Sequence, residues 1–311
     1  MSSLKEEFIS FLMFIKCLIL NINSRNELPE YKGEHILNIK NKETSFIKTG
    51  FPKIIWVYWE DEEIPEYIQK IINKTASLNK DYKLNLLHKG MIKEYLPNFI
   101  IEGEMPIANK TDLLRLMLLY EYGGVWVDAT TIFYENFVWV EKAFEEVDYD
   151  LIGYYKETST KDFNYPVIES WFLSSKPKNP LIKRWLEELT PLAKLGSKAY
   201  FELISQKVDY NIIKQKINRP EYLLIYLAQQ IALRDYKDFN IFIKRSEDSA
   251  FLIQESFRWV NYSINYVLCR VAYNKDLPII KLTSGDRLLI KSFIKHGFLK
   301  KNSVIGTIVS N

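Results

Sequence analysis

Two opposite charges, three residues apart, stand inside an otherwise apolar stretch of the sequence. Asp112 and Arg115 fall in the segment NKTDLLRLMLLYEYGG, where leucine and methionine leave little polar surface. Residues three apart on a helix lie on one side of it, and a charge in a buried helix is unfavourable unless it is paired or functional. Asp112 and Arg115 therefore either pair locally or offer an acceptor and a donor to a polar ligand such as a sugar.

Another acid follows directly after this predicted helix. Gly123 and Gly124 are expected to end the helix, and residues 125–127 predict a short hydrophobic strand that leads into Asp128. Open α/β sheets bind ligands at the carboxyl ends of their strands. A carboxylate there can hold Mg²⁺ or Mn²⁺, whose other ligands would be phosphate oxygens and water. The alternative is an acid that caps a turn.

Three aromatic residues lie at the end of the first predicted strand, KIIWVYW at 53–59. Alternation puts Trp56 and Tyr58 on one face of the strand and Trp59 on the other, so the three cannot all contact one ligand. Such rings either stack on a nucleobase or belong to the core. Trp59 lies nearest the carboxyl end of the strand and is the favoured base contact.

The elements that must position these residues alternate between strands and helices in the first half of the chain. Strands are predicted at 53–59, 82–87, 125–128, 149–155, 167–174 and 277–283, and helices at 65–78, 91–95, 109–122, 181–189, 199–215 and 221–234. Asn109 is expected to cap the helix at 109–122, with Asp112 in its first turn. The alternation predicts an α/β fold with a helix-rich second half.

The two ends of the chain have a different character. Residues 1–22 predict a helix that is mostly apolar, but it is short for a bilayer span of roughly 20 apolar residues. It is either a buried first helix or a helix on a membrane surface, and both alternatives keep the protein cytoplasmic. Residues 23–50 predict a polar, irregular tether. The basic-aromatic segment 291–311 is either a solvated helix face or a second membrane contact.

Composition limits the classes of function. The chain has 311 residues, of which 47% are hydrophobic, and its net charge of +3 does not indicate a nucleic-acid partner. It contains no phosphate-binding P-loop motif and no nucleophile-elbow serine motif. We predict an N-terminal helix and tether at 1–50, a main domain at 51–290 and a C-terminal segment at 291–311.

Taken together with ESWFLSSKPKNPLIKRW at 169–185, these motifs resemble the capsular polysaccharide synthesis family of bacterial glycosyltransferases. Its relatives, which include the large clostridial glucosylating toxins, combine an Asp-x-x-Arg helix, Gly-Gly, a hydrophobic strand and Asp-x-Asp. The resemblance covers roughly residues 53–185, with a fainter match at 279–283. It implies a GT-A-type fold, a single mixed α/β sheet flanked by helices.

The resemblance also implies roles for individual residues. Asp112 and Arg115 would bind the donor hexose and take part in catalysis, and Trp59 would stack on uracil. The UDP-sugar would contact Trp56, Tyr58, Trp59, Asp112, Arg115, Asp128, Thr130, Ser170 and Lys281. Members of this group typically retain the anomeric configuration, which implies an α-linkage.

The chain departs from the family pattern at Thr130, which stands where Asp-x-Asp has its second acid. A bound Mn²⁺ or Mg²⁺ is still expected at Asp128, because a metal offsets the charge of a diphosphate leaving group. Either Asp128 binds the metal through water, or a group from the C-terminal half completes the site; Asp286, in Ser-Gly-Asp, is one candidate.

The sequence therefore predicts transfer of galactose or glucose from a UDP-sugar to a lipid-diphosphate-linked oligosaccharide in capsule or surface-polysaccharide synthesis. The protein would lie on the inner face of the plasma membrane, where clustered lysines favour an anionic surface. A front-face route assisted by the leaving phosphate is favoured, with Glu169 as a weaker alternative nucleophile or base. The rival functions are a non-catalytic nucleotide-sugar-binding assembly factor and an aspartyl phosphohydrolase; the latter leaves Asp112 and Arg115 without a role.

Overall fold

A central sheet organises the protein, as seen in a computed structural model that describes residues 2–22, 26–42, 50–273 and 276–310. Within these residues, seven strands form one mixed sheet and two more form a small antiparallel pair. Helices cover both faces of the large sheet. The predicted α/β class, with one mixed sheet flanked by helices, is confirmed.

The strands of the described chain follow one another with helices between most of them. They are β1 (Ile36–Lys40), β2 (Ile54–Tyr58), β3 (Lys83–Leu87), β4 (Gly124–Val127), β5 (Thr131–Phe133), β6 (Leu151–Tyr155), β7 (Ile168–Ser175), β8 (Asn240–Arg245) and β9 (Ile279–Lys281). The large sheet has the order β1-β8-β6-β7-β4-β2-β3, and β5 pairs with β9. β2 runs parallel to both β3 and β4, whereas β7 runs antiparallel to β4.

The helices are concentrated in the second half of the chain, as predicted. They are α1 (Ser2–Asn21), α2 (Glu66–Leu78), α3 (Ile92–Tyr95), α4 (Ile107–Tyr122), α5 (Val138–Glu146), α6 (Pro180–Leu189), α7 (Pro191–Ser205), α8 (Tyr210–Lys214), α9 (Leu224–Tyr236), α10 (Leu252–Ser256), α11 (Asn261–Arg270), α12 (Ile290–Lys295) and α13 (Val304–Val309). None of these described helices combines the length and the apolar character needed to cross a membrane.

Strand β2 shows how the sheet separates two hydrophobic cores. Its side chains alternate between the two faces, so Ile55 and Val57 enter one core while Trp56 and Tyr58 enter the other. The first core includes residues of α1, α2 and α11, and the second includes residues of α4, α6 and α9. Burial on both faces explains why this strand is a continuous apolar run in the sequence.

Two glycines join α4 to β4 in a space too small for side chains. Gly123 has φ of 66° and Gly124 has φ of 91°, a region that other residues rarely adopt. A Cβ atom on Gly124 would lie 2.5 Å from the carbonyl oxygen of Ile54 on the neighbouring β2. The predicted helix stop at these glycines is therefore confirmed, and it lets β4 pair closely with β2.

The predicted start of α4 is wrong by two residues. The helix begins at Ile107 with Pro106 at its N-cap, so Asn109 is not the cap and Asp112 is not in the first turn. Instead, the Asn109 side chain lies inside the fold, where its Nδ2 donates to the Tyr222 carbonyl at 3.0 Å. Proline without an N–H is well suited to a helix start, and this outweighed the capping preference of asparagine.

Two further predictions about elements are wrong. Residues 23–50 are not an irregular tether throughout, because 36–40 form the edge strand β1 against β8. The helix predicted at 199–215 is two helices, since α7 ends at Ser205 and α8 begins at Tyr210. Val208 lies between them and is fully exposed, so the one apolar side chain of this turn is not buried in the core. The predicted domain boundaries stay a prediction.

Candidate functional site

A cavity of about 570 Å³ lies where β2 and β4 end. Of the residues singled out from the sequence, those that line it are Tyr58, Trp59, Asp112, Arg115, Asp128, Thr130, Glu169, Ser170 and Lys281. These nine residues come from stretches of chain that lie up to 223 positions apart, between Tyr58 and Lys281. The fold brings them to one place, although their individual roles stay predictions.

Two of the predicted site residues do not reach the cavity. Trp56 is 1% exposed, and its Nε1 donates to the Gly123 carbonyl at 2.9 Å in the core between α4 and the sheet. Asp286 is fully buried, and its Oδ2 accepts hydrogen bonds from Thr283 and from Gln254. The position of Trp56 therefore does not support a contact with the UDP-sugar, because the side chain packs in the core. The position of Asp286 does not support a metal site shared with Asp128, because its side chain stabilises a turn.

Strand direction explains why the other residues meet. Because β2 and β4 are parallel, Trp59 and Asp128 follow their carboxyl ends at the same edge of the sheet. The Asp128 amide donates to the Trp171 carbonyl of antiparallel β7 at 2.9 Å, so Glu169 and Ser170 continue past the end of β4. This edge is where α/β sheets commonly bind ligands.

Arg115 links the two acids of the central motif. Its Nη1 lies 3.4 Å from Asp112 Oδ1 and its Nη2 lies 3.3 Å from Asp128 Oδ1, while its guanidinium stacks on Trp126 at 5.1 Å. The local Asp112–Arg115 pair considered from the sequence is thus present. It does not exclude a ligand, because all three charged groups also line the cavity. Arg115 Nε has no hydrogen-bond partner among the described residues.

Lys281 lies on the other side of Asp128. Its Nζ is 3.0 Å from Asp128 Oδ2 and donates to Thr130 Oγ1 at 2.8 Å. Pairing of β9 with β5 and a hydrogen bond from Thr130 Oγ1 to the Leu282 carbonyl at 2.9 Å hold the two segments together. Lys281 is 8% exposed, so its charge is held in a largely dehydrated setting.

The environment of the two acids separates their proton affinities. Burial raises the pKa of Asp112 to about 6, although Arg115 opposes that rise. Burial alone would also raise the pKa of Asp128, but Lys281 and Arg115 hold it below its ordinary value. Asp128 is therefore ionised at neutral pH, while Asp112 changes its charge at a mildly acidic pH.

Glu169 lies in a different setting from Asp128. The side chain is 4% exposed and accepts a hydrogen bond from the Tyr226 hydroxyl at 2.6 Å. Burial raises its pKa, with Lys156 and the Tyr226 hydrogen bond acting in the opposite direction. This environment favours the neutral acid more than a solvent-exposed site would.

Sequence patterns do not single out several other polar residues of the cavity. Arg287 lines it beside Lys281, Tyr226 contacts Glu169, and Glu60 accepts hydrogen bonds from Tyr58 and Lys110. Arg287 is next to Asp286 in the sequence, and of these two residues Arg287 is the one that lines the cavity. For Tyr226, which lies in an apolar helix, no signal in the sequence separates it from the core.

These residues do not fit the metal ion that the family resemblance implies. Magnesium and manganese take oxygen ligands. In the family motif these would come from the two Asp-x-Asp positions, which are Asp128 and Thr130 in this chain. Oδ2 of Asp128 and Oγ1 of Thr130 are both engaged by Lys281. In the described part of the chain, no group of three or more acidic, histidine or cysteine side chains could hold a metal ion.

Fold and site together define an α/β protein with a cavity lined by charged and aromatic side chains at the carboxyl edge of its sheet. A model of the family described as "Capsular polysaccharide synthesis protein" matches residues 19–194, more than half of the chain. The protein belongs to this capsular polysaccharide synthesis family.

Comparison with individual proteins agrees with that assignment. The O-glycosyltransferase braB of Annulohypoxylon truncatum is 28% identical over 155 residues, which are 43% of this chain and 36% of that protein. The chain thus spans little more than a third of that relative's length. HOC1 of Saccharomyces cerevisiae is 23% identical over 155 residues, 45% of this chain and 39% of its own. The solved structure titled PaToxG Glycosyltransferase covers 83% of this chain and 86% of its own, at 15% identity and a TM-score of 0.35, which is too low to support an argument.

Proposed function

We propose that the protein is a glycosyltransferase that moves a hexose from a UDP-sugar onto an acceptor in capsular or surface-polysaccharide synthesis. The observation that carries this proposal is the cluster of Asp112, Arg115, Asp128 and Lys281 within one cavity at the carboxyl edge of the sheet. Family membership and the O-glycosyltransferase relative support the same reaction class.

The sugar would bind beside α4. Asp112 is an acceptor for sugar hydroxyls when ionised, and Arg115 still has a buried Nε–H without a partner among the described residues. Donors and acceptors fixed in this way are the kind of site that distinguishes one hydroxyl arrangement from another.

The nucleotide would occupy the rest of the cavity. Lys281 and Arg287 line it on the side of β9 and are suited to the diphosphate. Trp59 follows the carboxyl end of β2 and is half-buried, so part of its ring is free to stack on uracil. Tyr58 is less suited to a direct polar contact, because its hydroxyl already donates to Glu60.

The favoured chemistry is a front-face transfer that retains the anomeric configuration. The acceptor hydroxyl oxygen forms a bond to the anomeric carbon as the bond from that carbon to the β-phosphate oxygen breaks. The electron pair of the broken bond stays on the phosphate, which also takes the hydroxyl proton. Glu169 is the weaker candidate for a nucleophile, because burial and a raised pKa favour its neutral form.

A panel of nucleotide sugars tests the proposal. The protein is incubated with UDP-glucose, UDP-galactose and sugars of other nucleotides, and released nucleotide is measured with and without added Mn²⁺. We expect UDP release from at least one UDP-sugar, and an Arg115→Met variant should lose about ten-fold or more of it, the effect of one charged hydrogen bond.

Arg234 gives the matched control, since it is a half-buried arginine that stacks on Tyr165 outside the cavity. Arg234→Met should keep the wild-type rate per folded molecule. Nucleotide binding without any turnover would favour an assembly factor instead of an enzyme, and absence of both would overturn the proposal.

We further propose that the acceptor is a lipid-diphosphate-linked sugar and that the protein meets it at the inner face of the plasma membrane. Helix α1 carries an exposed apolar stripe that includes Phe8, Leu12 and Ile19 at 61%, 50% and 65% exposure. The neighbouring α12 exposes Lys291 and Lys295. Apolar side chains flanked by lysines are complementary to an anionic bilayer surface.

A further inference from the structure

We propose that Lys281 takes the place of a divalent metal ion in this site, so that the diphosphate of the donor is bound and released without one. The inference rests on the proposed UDP-sugar donor and concerns which group balances the negative charge of its diphosphate. It starts from the contact between Lys281 and the two residues that stand in the Asp-x-Asp positions of the family motif.

Those two positions are already satisfied by the lysine. Lys281 Nζ is 3.0 Å from Asp128 Oδ2 and 2.8 Å from Thr130 Oγ1. The other Asp128 oxygen is engaged by Arg115 at 3.3 Å and by Trp126 Nε1 at 3.1 Å. A metal ion bound here would have to displace these donors. The ion would also be bound more weakly than at a complete Asp-x-Asp motif, because Thr130 offers a hydroxyl in place of the second carboxylate.

The charge around Asp128 also opposes a dication. Arg115, Lys281 and Arg287 line the same cavity. Burial lowers the pKa of Lys281 below its ordinary value, Asp128 opposes that shift, and the charges of Arg287 and Arg115 add to it. Among the residues that the structure describes, Arg115 forms its ion pairs with Asp112 and Asp128. Glu60, Asp61 and Glu169 also line the cavity, so its lining as a whole is not short of negative charge. At Asp128, however, both carboxylate oxygens face a cation, so a dication there would be repelled by two positive charges and a diphosphate would be attracted by them.

Lys281 lies where it could stabilise the diphosphate as the leaving group when the glycosidic bond breaks. When the anomeric carbon separates from the β-phosphate oxygen, negative charge grows on the diphosphate. An ammonium group held by Asp128 and Thr130 is already oriented, so it can stabilise that charge without reorganisation. Compared with a metal ion, a lysine needs neither an acidic ligand pair nor free cation in solution.

Titration calorimetry with UDP, in excess EDTA and then in excess Mn²⁺, tests the inference. We expect the two dissociation constants of the wild-type protein to agree within about two-fold, and UDP release from the donor sugar to be equally insensitive to EDTA. Lys281→Met should weaken UDP binding by about ten-fold or more in both buffers, because it removes a positive charge that attracts the diphosphate in a largely dehydrated site.

Lys244 provides a matched control. It is also 8% exposed and ion-paired, to Glu34 at 2.7 Å, but it lies outside the cavity. Lys244→Met should leave the dissociation constant for UDP unchanged. A double variant, Thr130→Asp with Lys281→Ala, restores the two acids and removes the lysine, and we expect its UDP binding to require Mn²⁺.

The outcomes separate this inference from the function on which it rests. UDP binding by the wild type that appears only with Mn²⁺ overturns the role of Lys281 and leaves the UDP-sugar proposal intact. Failure of UDP to bind in either buffer overturns the UDP-sugar proposal and this inference with it. Equal affinity of the Lys281→Met variant and the wild type would also overturn the inference.

Discussion

Asp112 is a buried carboxylate whose protonation the protein shifts into a range that experiments can reach. Burial raises its pKa from 3.8 to about 6, against the effect of the adjacent Arg115. Asp128, by contrast, is kept ionised by Lys281 and Arg115. The two acids of the central motif therefore respond differently to pH, and of these two Asp112 is the one expected to affect a pH profile near neutrality.

We predict that sugar transfer falls as the pH drops through about 6, because the protonated Asp112 can no longer accept hydrogen bonds from two sugar hydroxyls. Asp112→Asn should lower turnover by about ten- to hundred-fold and abolish this acidic limb. The measurement is UDP release against pH for both proteins. An unchanged acidic limb in the variant would assign it to another group.

The same shift has a consequence of opposite sign for stability. Because the folded protein holds the Asp112 proton more tightly than the unfolded chain, this residue favours the folded state less as the pH rises from 3.8 to about 6. Relative to the Asp112→Asn variant, the denaturant midpoint of the wild type should therefore decrease as the pH rises through this window. A larger loss in the variant would contradict the raised pKa.

At the scale of elements, the α4–β4 junction decides whether the cavity forms. Gly124 joins the helix of Asp112 and Arg115 to the strand of Asp128, and it has both a positive φ and a close contact with Ile54. Any side chain at Gly124 would push β4 away from β2. The two parallel strand ends that carry Trp59 and Asp128 would then separate.

We predict that Gly124→Ala lowers the free energy of unfolding by about 3 kcal/mol, from the unfavourable φ and the contact with Ile54 together. Gly297 is the matched control, because its φ of 70° is also positive but nothing lies within 4 Å of an added Cβ. Gly297→Ala should lose only the part due to φ, about 1 kcal/mol. Urea unfolding measures the free energy of unfolding of both variants. Equal losses would show that the contact with Ile54 does not contribute to the effect at Gly124.

Elements defined by local patterns are the ones that the sequence predicts well. Strand β2 and helix α4 combine apolar periodicity with clear stops, and both lie where expected apart from the start of α4. Strand β1 was missed, because its stability comes from pairing with β8 some 200 residues later and not from its own half-exposed sequence. No window of local sequence contains that information.

The same distinction applies to the site. Asp112, Arg115 and Asp128 lie within one motif, and their shared cavity follows from the order of helix, glycines and strand. The contact of Lys281 with Asp128 joins positions 153 residues apart, so the sequence suggests Lys281 only through a faint family match. Asp286 was chosen as a metal ligand because acids bind metals, yet it is fully buried, does not line the cavity, and its Oδ2 accepts hydrogen bonds from Thr283 and Gln254.

For the whole molecule, the two end segments form one surface. Ser10 of α1 contacts Ser292 of α12 at 3.1 Å, and Phe14 packs on Phe293 at 5.1 Å between ring centres. Removing residues 291–311 would also remove α13, whose Val304 and Ile305 are fully buried. Membrane contact by these segments is therefore better tested by point substitutions than by truncation.

We predict that the protein floats with vesicles containing phosphatidylglycerol and not with vesicles of phosphatidylcholine alone. Leu12→Glu should abolish this flotation, and Lys291→Glu should weaken it by at least about five-fold, since each basic residue contributes about 1 kcal/mol. Leu203→Glu is the matched control, because Leu203 is 52% exposed on α7, away from this surface. A change of oligomeric state in the Leu12→Glu variant, with flotation intact, would assign the surface to a second copy of the chain.

The packing of Phe14 against residues 293–298 also affects how the chain folds during its synthesis. Its aromatic partners Phe293, His296 and Phe298 are about 280 residues further along the chain. A ribosome adds about 5–20 residues per second, so α1 waits roughly 15 to 60 s for the helix that covers its inner side. During synthesis this helix therefore presents apolar side chains on both of its sides, and the nascent protein is most prone to aggregation before its last helices emerge.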